Sequence, residues 1–237
     1  MKEELNGILI VDKPSGWTSH DVVKKIRNML GGIKVGHTGT LDPEATGVLI
    51  LLVGNATKMA YLFENDYKRY RAEITFGHAT DTYDSEGKIT ATGNPDIVDT
   101  KKLDAVIRGF VGESQQLPPM YSAVKVQGKR LYQLARKGKI VEREPRKIVI
   151  RSIISDFSLY PRIVLDIVCS KGTYIRSIAH QLGEEVGCPS HLSSLRRTES
   201  GSYTLHEALD FVRVFESGGK NDVLDHIRPV SRLTTQS

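Results

Sequence analysis

GHTGTLDPEATGVL, residues 36–49, sets three glycines, three threonines, one proline and two acids directly before the apolar run 48–53. That run has the length and composition of a buried strand. Pro43 biases Asp42 toward extended backbone and stops a ladder at that point. Gly36, Gly39 and Gly47 let other backbone, or a ligand, approach closely. Thr38, Thr40 and Thr46 offer hydroxyls for local hydrogen bonds. The stretch reads as a rigid turn holding one carboxylate, Asp42, at the mouth of a buried strand. Two readings stay open on the residues alone: Asp42 caps its own turn, or it is a reactive group kept ionised by a distant cation.

Upstream, residues 7–12 (GILIVD) read as a short buried strand, broken by Pro14, Ser15 and Gly16. Thr18 or Ser19 caps a helix with Val22, Val23, Ile26, Met29 and Leu30 on one face, ended by Gly31 and Gly32. Downstream, 57–63 reads as a short helix and 70–76 as a half-buried strand. Residues 81–87 form an acidic, solvated turn whose spacing does not match a calcium loop. Helical spacing recurs over 100–111, 131–136, 173–185 and 204–215. Residues 148–159 and 162–169 read as strands joined through Pro161, and LPPMY (117–121) is extended around its prolines. Strands and helices mix without regular βαβ alternation. The predicted fold class is α+β, with a mostly antiparallel central sheet and flanking helices.

The 237 residues suffice for one large domain or two small ones. No apolar run approaches the roughly 20 residues that span a bilayer, and MKEELNG lacks the basic and apolar regions of a signal peptide. Cys169 and Cys188 supply neither a disulfide framework nor zinc spacing. The expected compartment is the cytoplasm. The net charge of +5 is mild, but ten basic residues and two acids fall between Lys125 and Arg151. Such a window is either a solvated face or the footprint of phosphate-backbone binding. Tyr70, Tyr121 and Tyr132 stand beside basic residues, as core tyrosines or as platforms for unstacked bases. The balance of window and tyrosines points to nucleic acid, with single-stranded or flipped bases fitting better than duplex reading.

A cation for Asp42 is available in CSKGTYIRS, residues 169–177. Gly172 turns the chain into a helix whose core stripe is Ile175, Ile178, Ala179 and Leu182, flanked by Tyr174 and Arg176. An arginine in a first helical turn is slightly disfavoured by the helix dipole, which hints at a specific anionic partner, although a plain surface arginine is the commoner case. TGTL resembles the aspartyl-phosphate loop of ion-pumping ATPases, but Gly36 occupies the position of that nucleophile.

Taken together the motifs resemble those of the TruB family of tRNA pseudouridine synthases. KPSGWTSHDVV (13–23), GHTGTLDPEATGVL, KRYRAEITFG (68–77), TDTYDSEG (80–87), PPMYSAVKVQGKRLYQLARKG (118–138), CSKGTYIRS and HLSSLRRTESG (191–201) follow in family order. Glu44 departs from the family's usual leucine. The resemblance implies a pseudouridine synthase fold with an active-site cleft. It implies isomerisation of uridine-55 in the T arm of tRNA, with no cofactor and no metal. Asp42 corresponds to the essential carboxylate, and Arg176 to the cation that pairs with it. Tyr70 would stack on the flipped uracil, and Tyr174 would line the same pocket. His37 would fill the space the nucleotide vacates, Lys13 and Pro14 would support the loop, and Leu195 would form an apolar wall. Lys125, Lys129, Arg130, Arg136 and Lys137 become RNA backbone contacts. The implied partner is the T-arm stem–loop, bound by a monomer with no membrane and no obligate protein partner. LYQLARKG favours this stand-alone type over the guide-RNA-dependent relative. The expected layout is a catalytic domain over 1–201 and a helical extension over 202–237. The 36 residues after Gly201 are too few for the PUA domain common in the family, since domains rarely fall below roughly 40–50 residues.

Overall fold

A computed structural model describes residues 5–63, 65–126, 128–139 and 141–230. Residues 231–237, the end of the expected C-terminal extension, lie outside the described residues, as do positions 127 and 140 of the basic window. The first half of the chain carries β1 (Gly7–Lys13), α1 (Ser19–Met29), β2 (Val35–His37), β3 (Thr46–Val53), β4 (Lys68–Phe76), β5 (His78–Thr80), β6 (Ile89–Thr92), α2 (Thr100–Gly109) and β7 (Gly112–Gln116). The second carries β8 (Lys125–Val126), β9 (Lys129–Arg130), α3 (Leu131–Ala135), β10 (Arg146–Asp156), β11 (Arg162–Cys169), α4 (Ile175–Val186), β12 (Ser190–Ser200), β13 (Tyr203–Thr204), β14 (Leu209–Asp210), α5 (Phe211–Ser217) and α6 (Lys220–Asp225). The chain forms two compact units, residues 1–69 with 196–237, and residues 70–195.

In the first unit the strands run β14-β1-β3-β12, with β2 on β3 and β13 on β12. β1 and β3 are antiparallel in a register that sets Gly7 opposite Val53 and Lys13 opposite Gly47. β14 is parallel to β1, and Arg196 and Arg197 of β12 are parallel to Thr46 and Gly47. Every residue of β3 from Gly47 to Val53 is buried, because both of its faces are covered. Leu9, Val11, Leu49, Leu51 and Val53 pack with Val22, Val23 and Ile26 of α1 and with Leu209, Phe211, Val214 and Val223. On the opposite face Ile8, Ile10, Val48, Ile50 and Leu52 pack with Ala56 and Phe63. Helix α1 begins where the sequence sets a cap: Thr18 accepts from the Asp21 amide and Asp21 reaches back to Thr18.

In the second unit the order is β4-β11-β10-β7. β10 pairs antiparallel with β11 and with β7, and Ser193 of β12 donates to the Glu73 carbonyl of β4. Ala72, Ile74, Ile150, Ile163, Leu165 and Ile167 form its core with Leu103 and Ile107 of α2 and Ile175, Ile178 and Leu182 of α4. The fold is α+β as expected, with parallel pairings confined to β1–β14 and β3–β12 among the pairings just named.

Four element expectations need correction. Gly54–Phe63 is a 3-10 run. β10 stops at Asp156, and Phe157 to Tyr160 close a turn through the Tyr160 amide and Phe157 carbonyl. α4 starts at Ile175, after the extended Tyr174. The helix expected over 204–215 is instead a short 3-10 turn, then β14, then α5. There the edge of β1 supplies backbone partners to Leu209 and Asp210, a tertiary effect that helical spacing does not encode.

Candidate active site

The candidate residues fall into two sets, one on each unit. On the first unit, Asp42 is half-buried in a loop whose backbone is held on both sides. The hydroxyl of Ser19, at the start of α1, accepts from the Leu41 amide at 2.9 Å and donates to the Leu41 carbonyl at 3.1 Å. Lys13, fully buried, donates to the carbonyls of Pro14 (2.8 Å), Trp17 (2.6 Å) and Pro43 (2.8 Å). Gly16 donates its amide to the same Pro43 carbonyl. Arg197, 2% exposed, donates to the carbonyls of Val48 at 2.7 Å and Gly39 at 3.1 Å. Residues 39, 41 and 43 are thus each tied to a different element, and Asp42 sits between two of the ties. The Ser15 hydroxyl donates to the Glu44 carboxylate on the outer side of the loop.

Burial lowers the Lys13 ammonium from 10.5 to about 8, against the opposing pull of the Glu44 and Asp42 carboxylates. His37 lies on β2 opposite Leu51. Burial first, then the positive charges of Arg197 and His20, hold its imidazole below the usual 6.5, so the ring is neutral at pH 7. Its buried Nδ1 has no hydrogen-bond partner among the described residues. Pro14 contributes its carbonyl to the Lys13 cage.

On the second unit, Arg176 is 4% exposed in the first turn of α4. It donates to the carbonyls of Thr82 at 3.1 Å and Tyr121 at 2.9 Å, and its guanidinium lies 3.4 Å from the Asp84 carboxylate. The turn 81–87, expected to be solvated, therefore turns Asp84 inward: that side chain is 22% exposed and faces a buried cation. Its acids alone give no sign of this. Tyr174 caps α4 and is gripped by one amide side chain: its N–H donates to Gln116 Oε1 at 2.7 Å, and Gln116 Nε2 donates to its carbonyl at 3.1 Å. Tyr70, half-buried on β4, and Leu195 pack against the core of this unit. Ser19, Asp84, Gln116 and Arg197 escape sequence reasoning as supporting residues. Ser19, Asp84 and Arg197 fall inside KPSGWTSHDVV, TDTYDSEG and HLSSLRRTESG, but nothing in those stretches marks them as supports, and Gln116 lies outside all of them.

Lys125, Lys129, Arg130, Arg136 and Lys137 are all exposed, on the β8–β9 hairpin, on α3's Arg136 C-cap and just beyond it. Arg136 lies over the Tyr132 ring at 5.5 Å. Among the described residues there is no cluster of three or more His, Cys, Asp and Glu placed to hold a metal, and no helix long and apolar enough to cross a membrane.

Residues 27–175 match the model of the TruB family pseudouridylate synthase N-terminal domain. The chain is 48% identical over 205 residues to tRNA pseudouridine synthase B of Syntrophotalea carbinolica, covering 86% of this chain and 67% of the relative. It is 44% identical over 235 residues to the Bacillus subtilis protein of that name, covering 96% and 76%. Among solved structures it resembles a chain of a Cbf5–Nop10–Gar1 complex, with a TM-score of 0.71 and 28% identity, over 95% of this chain and 60% of that one.

Proposed function

Since the chain belongs to the TruB family of pseudouridylate synthases, we propose that it isomerises uridine-55 in the T arm of tRNA, with Asp42 as the reacting carboxylate. The single observation that carries this reading is the backbone of 39–43. Three separate elements tie it down, so one carboxylate is presented with little freedom. The nearer relatives, at 44–48% identity, are named as tRNA enzymes, whereas the likeness to the Cbf5 chain is 28%. Action on free tRNA, by a cytoplasmic monomer without an obligate protein partner, is the corresponding proposal.

In this reading the glycosidic bond is unreachable inside a stacked loop, so the uridine is extruded before chemistry. Tyr70 offers its ring to the flipped uracil, with Tyr174 and Leu195 shaping the pocket. His37 fills the space left in the RNA. Arg176 supplies the positive charge that keeps Asp42 ionised. The uracil leaves C1′, turns, and is rejoined through C5, releasing the C5 proton. The exposed bases Lys125, Lys129, Arg130, Arg136 and Lys137 meet the phosphate backbone.

The test is release of tritium from a T-arm stem–loop carrying C5-labelled uridine. Wild-type protein should release it and Asp42→Asn should not, while both bind the stem–loop. Absence of release by the wild type would sink the proposal.

A further inference from the structure

The turn that faces Arg176 carries a conformational anomaly. Tyr83 has φ 67°, the one described non-glycine residue with a positive φ. A tyrosine in the left-handed region is strained where a glycine would not be. The structure around it must therefore hold it in that conformation. The contact recorded is a parallel stack on His180, with ring centroids 3.9 Å apart and planes 10° apart.

His180 and Arg176 lie one turn apart on α4 and share a face. Together they hold three consecutive residues of the turn. Arg176 takes the Thr82 carbonyl and the Asp84 carboxylate, and His180 takes the Tyr83 ring between them. The buried Nδ1 of His180 has no hydrogen-bond partner among the described residues, and its Nε2 lies 3.6 Å from Glu184. The stack, rather than a hydrogen bond through Nδ1, orients this ring. On the other side the Tyr83 carbonyl accepts from the Leu192 amide at 3.0 Å and its amide donates to Thr80, so the turn is pinned at the backbone while the ring fixes its tilt.

We propose that Tyr83 and His180 are positioning residues for Arg176. Their stack sets the tilt of the 82–84 backbone, and with it the direction of the acceptors that aim the guanidinium. The inference rests on the reading of Arg176 as part of the catalytic set, and it assigns a part in the reaction to two residues that act through Arg176.

Tyr83→Gly is the informative variant, because it relieves the backbone strain and removes only the ring. Tyr83→Gly and His180→Ala should each lower kcat about 10- to 100-fold in tritium release, the cost of a misplacement near 1 Å, with KM for the stem–loop unchanged within about twofold. The double variant should be no slower than either single, since both remove one interaction. Tyr83→Phe and His180→Phe keep the stack and should stay within about threefold of wild type. Wild-type kcat in Tyr83→Gly, single losses that multiply in the double variant, a change confined to KM, or phenylalanine variants as slow as the truncations would each overturn the proposal. The guanidinium NMR signals of Arg176, assigned by their loss in Arg176→Lys, give a readout that needs no turnover. They should be resolved and slowly exchanging in the wild type and averaged in Tyr83→Gly and His180→Ala; unchanged signals in both variants would also overturn it. An inactive wild type defeats the proposed function, and the NMR comparison then still decides whether the stack holds Arg176.

Discussion

Lys13 shows how one buried charge links loop geometry to pH. Its ammonium meets three carbonyls, so all three of its protons are used. Burial brings its pKa to about 8 from 10.5. Between those values the unfolded chain binds a proton that the folded chain has released, so this group's contribution to stability rises with pH across the window. The loop responds in the opposite sense. A neutral amine has only two protons for three carbonyls, and Pro43, the neighbour of Asp42, is among those left short. We expect kcat for tritium release to fall as pH rises through about 8, without a fall in melting temperature over the same range. Lys13→Met should be slow throughout and lack that limb. A wild-type kcat that is flat to pH 9.5 would refute the link, since a group titrating near 8 would then be irrelevant to the loop. The residues of the first unit's site are partly legible in sequence, because Asp42 and Lys13 lie in Gly- and Pro-rich stretches that announce tight turns. Asp84 is not legible. An acid in a turn of acids looks solvated until the fold sets Arg176 against it.

At the scale of elements, β3 and the loop before it form one device, and Gly47 is its joint. Its φ is 105°, and a Cβ there would lie 2.1 Å from the Arg197 carbonyl oxygen on the parallel β12. No side chain fits, and the obstacle is backbone that cannot swing away. Gly47→Ala should cost about 3–5 kcal/mol, the range of severe overpacking and backbone strain together, read from the midpoint of urea unfolding with its slope unchanged. Gly36→Ala is the contrast: its Cβ would meet only Thr57 at 3.7 Å, and the change should stay within about 1 kcal/mol. Equal losses at the two positions would show that the β3–β12 approach does not constrain the loop. The strand 48–53 is legible because both of its faces are apolar. The need for glycine at 47 is visible only as a glycine. Its cause, a parallel strand contributed from about 150 residues later, has no local signature.

Over the whole molecule, the first unit is discontinuous, and its second piece completes the core begun by the first. Leu209, Phe211, Val214 and Val223 are all buried in the cluster that contains Leu9, Val11, Leu49 and Leu51. The backbone of Arg228 exchanges two hydrogen bonds of 2.9 Å with Ile8. Trp17, whose carbonyl accepts from Lys13, packs edge-on against Phe211 and Phe215 at 5.1 and 5.3 Å. The family motifs end near Gly201, so sequence alone invites a boundary there, yet these contacts make the later residues part of what holds the Asp42 loop. Each of the four buried side chains contributes about 1.5–3 kcal/mol by burial, and together they approach the ~5–15 kcal/mol margin of a typical domain. A chain ended after Gly201 should therefore fail to fold its first unit. It should lose tritium release and either aggregate or melt at least about 10 °C lower, followed by circular dichroism. A truncated chain that melts within about 3 °C of the full one and keeps its kcat would show that the second piece only covers a core that stands without it.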